Sequence, residues 1–179
     1  MADTPHGPFF RRHVPPDPDG LRAEIARQRV ALAEAKDEAA RLDALGRLGF
    51  ALFMIGEEAE AAPLLDEALV LARQRGDAKT EIEVLLGLAT ARQYLGERAR
   101  AERLFREALA LCGETGIREQ EHFLLHHLGR CYVEMGRIDE AKVAFEQALA
   151  IRQGLDNKRF ANFTQAALDD VAAMPSGGL

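Results

Sequence analysis

Apolar residues recur along this chain at helical spacing, and the arrangement itself repeats. Leu48 is followed 40 residues later by Leu88, and 40 further on by Leu128. Gly56, Gly96 and Gly136 keep the step, as do Ala61, Ala101 and Ala141, then Ala68, Ala108 and Ala148, then Leu69, Leu109 and Leu149. Each period holds two stretches whose apolar residues lie three and four apart, the spacing that lines one face of an α-helix. In the third period Leu125, Leu128, Gly129 and Tyr132 mark the first helix. Gly136 ends it by supplying a left-handed turn, and Asp139 is placed to cap the second helix. That helix carries Ala141, Phe145, Ala148 and Leu149 on one stripe. Small residues such as Gly129 and Ala141 let paired helices approach closely, with large residues filling the gaps. A fixed period of this size predicts stacked helical hairpins, not one wrapped core.

The pattern also places the ends. Leu21, Ile25, Gln28 and Leu32 give one mostly apolar helical face, and one step back from Ala61 and Leu65 lands on Leu21 and Ile25. Residues 21–36 therefore read as an N-terminal cap helix, followed by repeats at 37–76, 77–116 and 117–156. Phe160, Phe163, Ala167, Leu168 and Val171 hold a helical spacing across 157–174, the first helix of a fourth repeat acting as the C-terminal cap. Residues 1–20 contain five of the seven prolines and read as a disordered or strap-like tail. Within it Phe9, Phe10, Arg11 and Arg12 can dock on the chain's own surface or serve as a short linear motif. Residues 175–179 read as a frayed end. The fold class is all-α.

Composition narrows the function classes. The chain has 179 residues, is 47% hydrophobic and 29% charged, and lacks Trp. A net charge of -6 and the absence of a basic block argue against nucleic acid. No apolar run reaches the length of a membrane span, and no signal-peptide core precedes the repeats. Cys112 and Cys131 have neither disulfide-framework nor CxxC spacing. The expected location is cytoplasmic. No nucleophile elbow, phosphate-cradling glycine loop or isolated carboxylate pair is present, so an enzyme reading has no support and no cofactor is expected. His122 and His126 stand one helical turn apart, a spacing that can grip a metal, but no third ligand is fixed and no metal site is assigned. His126 is the better placed to make binding pH-dependent.

The third period, Leu128-Gly129, Tyr132, Ala141, Phe145 and Ala148, resembles the tetratricopeptide repeat signature. The first period answers with Leu48-Gly49, Leu52, Ala61, Leu65 and Ala68, and the second with Leu88-Ala89, Arg92, Ala101, Phe105 and Ala108. Leu45, Leu85 and Leu125 replace the signature tryptophan, and the closing proline is absent. The 40-residue period is similar to that of the long-repeat branch, which includes the kinesin light chain and related adaptors. Arg92, where an aromatic or large apolar residue is usual, calls for a carboxylate partner or looser packing.

The resemblance implies a right-handed α-solenoid of three repeats with a capping helix at each end, whose first helices line a ligand-binding inner wall. On this chain the wall carries Phe50, Phe53, Met54, Leu86, Thr90, Tyr94, Phe123, His126 and Arg130, with Phe163 from the cap. The carboxylate clamp of chaperone-binding relatives is not rebuilt, because Gly46 and Phe50 occupy its first places. The wall is apolar and aromatic, and its function reads as non-catalytic: an adaptor holding a protein or peptide partner. The alternatives are a homo-oligomeric scaffold that buries the same stripe, or a small-molecule- or metal-responsive regulator.

Overall fold

The structure, a computed structural model, describes residues 9–12, 15 and 17–174. Among these it contains eight α-helices and no strand: α1 (Pro18–Glu34), α2 (Glu38–Ile55), α3 (Glu58–Arg75), α4 (Ala78–Tyr94), α5 (Arg98–Thr115), α6 (Glu121–Glu134), α7 (Ile138–Gly154) and α8 (Lys158–Ala172). The architecture is an all-α helical repeat solenoid. It divides into two compact units, an N-terminal unit of residues 13–111 and a C-terminal unit of residues 112–179 with 1–12. Among the described residues no helix is long and apolar enough to cross a membrane.

The helix boundaries follow local chemistry. Asp17, Asp37 and Asp77 precede α1, α2 and α4, and each carboxylate accepts the N–H three residues on, at 2.8, 2.8 and 3.1 Å. Asn157 does the same for α8. Asp139 does not cap α7, as the sequence led us to expect. Arg137 holds the cap position without a side-chain bond, so Asp139 falls inside the first turn, where its charge complements the helix dipole. At the other ends a residue of positive φ recurs every 20 positions, at Gly56, Gly76, Gly96, Gly116, Gly136 and Asp156. Each closes a helix by turning the chain left-handed. The bonds from Arg137 N–H to the Tyr132 carbonyl and from Asn157 N–H to the Arg152 carbonyl, both 2.9 Å, show the same closure at Gly136 and Asp156.

In the N-terminal unit α1 packs on α2, α2 on α3 and α3 on α4, and α2 also meets α4. Leu45, Leu48, Leu52, Leu65, Ile82, Leu85 and Leu88 are fully enclosed. The helices of the first repeat meet closely at Gly49, where an added Cβ would lie 2.5 Å from Leu65 Cγ. Arg92 has its carboxylate: it pairs with Asp66 of α3 and, at 3.1 Å, with Glu97.

In the C-terminal unit α6 packs on α7 and α7 on α8. Phe145, Ala141 and Ala148 of α7 have no exposed surface. The tail expected through residue 20 is shorter than its composition implied. Pro18 starts α1, since proline is compatible with a first helical turn, and Phe10 is buried. The rest of that tail (residues 1–8, 13, 14 and 16) and the expected frayed end at 175–179 lie outside the described residues.

Candidate functional site

The N-terminal unit holds an open cleft of about 660 Å³. Its floor is apolar, with Leu21 of α1, Leu42 and Phe50 of α2, Leu65 of α3 and Val84 of α4. Gly46 and Gly87 keep it clear, and a Cβ at Gly46 would meet nothing within 4 Å. Phe50 is the conspicuous side chain, 51% exposed despite its size. Its ring stands edge-on to that of Phe53 at 5.0 Å, so a buried neighbour fixes its direction. Glu24, Asp43, Asp77 and Glu83 line the cleft with Arg47 and Arg75, giving four carboxylates against two guanidinium groups. Three of the carboxylates have local partners. Asp43 accepts from Arg47 at 2.8 Å, Glu24 from Arg27 at 2.9 Å, and Asp77 caps α4. The bonds from Gln28 and Arg27 hold the Glu24 carboxyl below its ordinary pKa, and those from Thr80 do the same for Asp77.

The other wall residues on this unit are less accessible. Met54 and Leu86 are half-buried, whereas Phe53, Thr90 and Tyr94 are buried. Thr90 donates its hydroxyl to the Leu86 carbonyl at 2.8 Å. Phe53 packs across to α4, its ring 3.6 Å from where a Cβ on Gly87 would stand. The wall stripe therefore includes the seam at which successive first helices meet. The cleft also draws on Leu21, Glu24, Arg75 and Asp77, which repeat spacing does not assign to the wall. Leu21 was visible as part of an apolar face, but its cleft-facing role depends on how α1 seats against α2.

The C-terminal unit carries the remaining wall residues. Phe163 is 38% exposed and Phe123 is half-buried, its ring edge-on to Phe160 at 5.1 Å. His126 and Arg130 are buried. His126 Nδ1 lies 3.2 Å from the Thr164 hydroxyl, and Arg130 Nε donates to the Phe10 carbonyl at 2.8 Å. His122 Nδ1 accepts from Arg152 Nε at 3.1 Å. Both Nδ1 atoms of the histidine pair are thus engaged, and a guanidinium stands beside them. That arrangement opposes a cation.

Burial, reinforced by Arg152, pulls the His122 pKa down to about 4. Burial pulls His126 well below its ordinary value too, with His127, Arg152, Arg130 and Arg11 acting in the same direction. Both imidazoles are neutral when folded and gain a proton more readily when unfolded. Their stabilisation is complete above the unfolded value near 6.5 and is lost as pH falls below it, for His122 through the interval down to about 4. Thermal unfolding should therefore show a Tm that falls between pH 7 and pH 5. Each histidine contributes a slope of up to about 1.4 kcal/mol per pH unit. The variant His122→Gln/His126→Gln should lose most of that dependence. The pH sensitivity of His126 thus acts through stability, not through a charge on an open wall.

Two tetratricopeptide repeat family models match the sequence, at residues 84–119 and 124–154. No curated protein matches it. Among solved structures, the apo form of RapI is similar with a TM-score of 0.72 at 21% identity, covering 86% of this chain and 44% of RapI. This chain thus spans less than half the length of RapI. A kinesin-light-chain-like protein of Podosopora anserina, built of nearly identical TPR-like repeats, gives a TM-score of 0.57 at 18% identity, covering 87% of this chain and 96% of that one. BtubC (BKLC) from P. vanneervenii gives 0.59 at 19%, covering 78% and 57%. At these identities the likeness concerns the fold.

Proposed function

We propose that this chain, whose residues 84–119 and 124–154 match tetratricopeptide repeat models, is a non-catalytic adaptor that holds a peptide or helix of a protein partner against its first helices. The observation that carries this reading is the cleft around Phe50. A large aromatic ring stands half in solvent above an apolar floor, with glycines at 46 and 87 leaving room for an incoming chain. Surfaces of this kind mark interaction sites more often than they mark idle ones.

The chemistry of the cleft favours binding over catalysis. Its carboxylates serve helix caps and ion pairs instead of being poised beside a nucleophile. Their excess over the two arginines suits a segment with apolar anchors flanked by basic residues. The exposed or half-buried wall residues of this unit, Phe50, Met54 and Leu86, supply contact. The buried ones, Phe53, Thr90 and Tyr94, hold the shape behind them.

Burying one such aromatic against a ligand contributes roughly 1.5–3 kcal/mol. Phe50→Ala should therefore weaken partner binding by roughly 10- to 100-fold. Its Tm should stay near wild type, because the ring is only half covered in the free protein. The check is affinity capture from native lysate with mass-spectrometric identification, wild type beside variant. A partner held equally by both would sink the assignment. Capture of the chain by itself alone would favour a homo-oligomeric scaffold.

A further inference from the structure

The C-terminal unit already holds a short non-helical segment, residues 9–12, that turns at Phe10 and Arg11. Phe10 is 7% exposed, its ring 6.2 Å from Phe145 of α7. Both of its backbone groups are gripped by charged side chains of α6. Its N–H donates to the Glu134 carboxylate at 3.1 Å, and its carbonyl accepts from Arg130 Nε at 2.8 Å. The main chain then turns at Arg11, whose φ of 48° is a conformation that L-residues other than Asn and Asp rarely adopt. That turn sends the guanidinium to α8. There it donates to the Ala166 carbonyl at 3.2 Å, pairs with Asp170 at 2.5 Å and lies over the Phe163 ring, 5.4 Å from its centre. A carboxylate, a carbonyl and an aromatic face together select a planar, multiply donating cation, which is arginine and not lysine. Phe9 and Arg12 meet each other 5.7 Å apart, within the segment.

We propose that the face formed by α6, α7 and α8 is a binding site for a short peptide that turns at an aromatic residue followed by arginine, and that residues 9–12 are its intramolecular occupant. These contacts read the main chain and ring of Phe10 and then the guanidinium of Arg11, as a sequence-reading site does. The side chains that make them are Arg130, Glu134, Phe145, Phe163 and Asp170. A partner carrying the same aromatic–arginine pair competes with the chain's own copy. Because that copy is tethered, its effective concentration is on the order of millimolar, and it masks the site until displaced.

The test uses the full chain and a fluorescein-labelled hexapeptide of residues 8–13, Pro-Phe-Phe-Arg-Arg-His. Fluorescence anisotropy compares wild type with Phe10→Gly/Arg11→Gly, which disables the internal copy. The disabled chain should bind the peptide saturably, at least about tenfold more tightly than wild type. Replacing the peptide's first arginine by lysine should weaken binding severalfold, and replacing it by glutamate should abolish it. In the disabled chain, Asp170→Asn should weaken binding of the arginine peptide and narrow its advantage over the lysine peptide. The proposal fails if a cooperatively melting disabled chain does not bind the peptide. Equal binding by wild type and disabled chain would also overturn it, as would full binding of the glutamate peptide. None of these residues lines the cleft around Phe50, so Phe50→Ala should leave this binding unchanged and the two readings fail separately.

Discussion

Replacing Gly129 by valine should cost the C-terminal unit at least about 3 kcal/mol and unfold much of the population at physiological temperature. Gly129 faces α7 at the closest approach of the third repeat. An added Cβ would lie 2.8 Å from two carbons of the Phe145 ring and 3.0 Å from a third. That ring has no exposed surface, so it cannot swing clear without opening the core. Even alanine overpacks the contact. Its penalty of roughly 1–3 kcal/mol is offset by about 1 kcal/mol of helix propensity gained over glycine. Gly129→Ala should therefore be milder than valine but still destabilising. Phe145→Leu combined with Gly129→Ala should cost less than the sum of the two single changes, because the smaller side chain at 145 makes room for the added methyl group at 129. Urea titrations of wild type and the four variants check this. A neutral Gly129→Val would mean that α6 and α7 do not pack as described.

The second large effect is expected at Arg152, which is 1% exposed. Its guanidinium lies beside the paired rings of Phe123 and Phe160, 5.5 and 5.3 Å from their centres. Nε donates to His122 Nδ1 at 3.1 Å, and Nη1 donates to the Phe160 carbonyl at 3.1 Å and to the Thr164 hydroxyl. None of these partners is a carboxylate. Burial accordingly pulls its pKa down to about 10, although it remains a cation at neutral pH. This one side chain ties α6, α7 and the cap helix α8 together. Arg152→Ala opens a cavity and strands polar groups, and should cost about 3–4 kcal/mol. Amide hydrogen exchange should rise first across Lys158–Ala172. Arg152→Met fills most of the volume and removes an uncompensated charge, so it should lose less than half as much. If methionine proved as damaging as alanine, the polar links would outweigh the packing.

Most of the fold was legible because it is written locally and then repeated. The helices follow from three- and four-residue apolar spacing, and the pairing from the small residues at 49 and 129 that face Leu65 and Phe145. The 40-residue spacing reported the left-handed turns at Gly56, Gly96 and Gly136; those at Gly76 and Gly116 fall between these, and at 156 aspartate takes the place of glycine. The wall was legible as a stripe and not as a surface. Spacing puts Phe50, Phe53, Thr90 and Tyr94 on first-helix faces, but which edge of a face meets the neighbouring helix depends on how α2 and α4 pack. Phe50 therefore stays open while Phe53 is buried. Arg152 was missed because a buried arginine breaks the apolar rule that periodicity reads. The docking of Phe10 and Arg11 rests on Glu134 and Asp170, 124 and 159 residues away in sequence. No local pattern reports such a separation.

The most direct test of the adaptor account is site-specific photo-crosslinking in native lysate. A benzophenone amino acid is placed at Phe50 in one preparation and at Val70 of α3 in another. Both positions are about half exposed, and Val70 does not line the cleft. The account predicts a discrete adduct from position 50, absent from position 70 and lost when the unmodified chain is added in excess. An adduct formed from position 70 and not from position 50 would place the partner elsewhere on the N-terminal unit and contradict it.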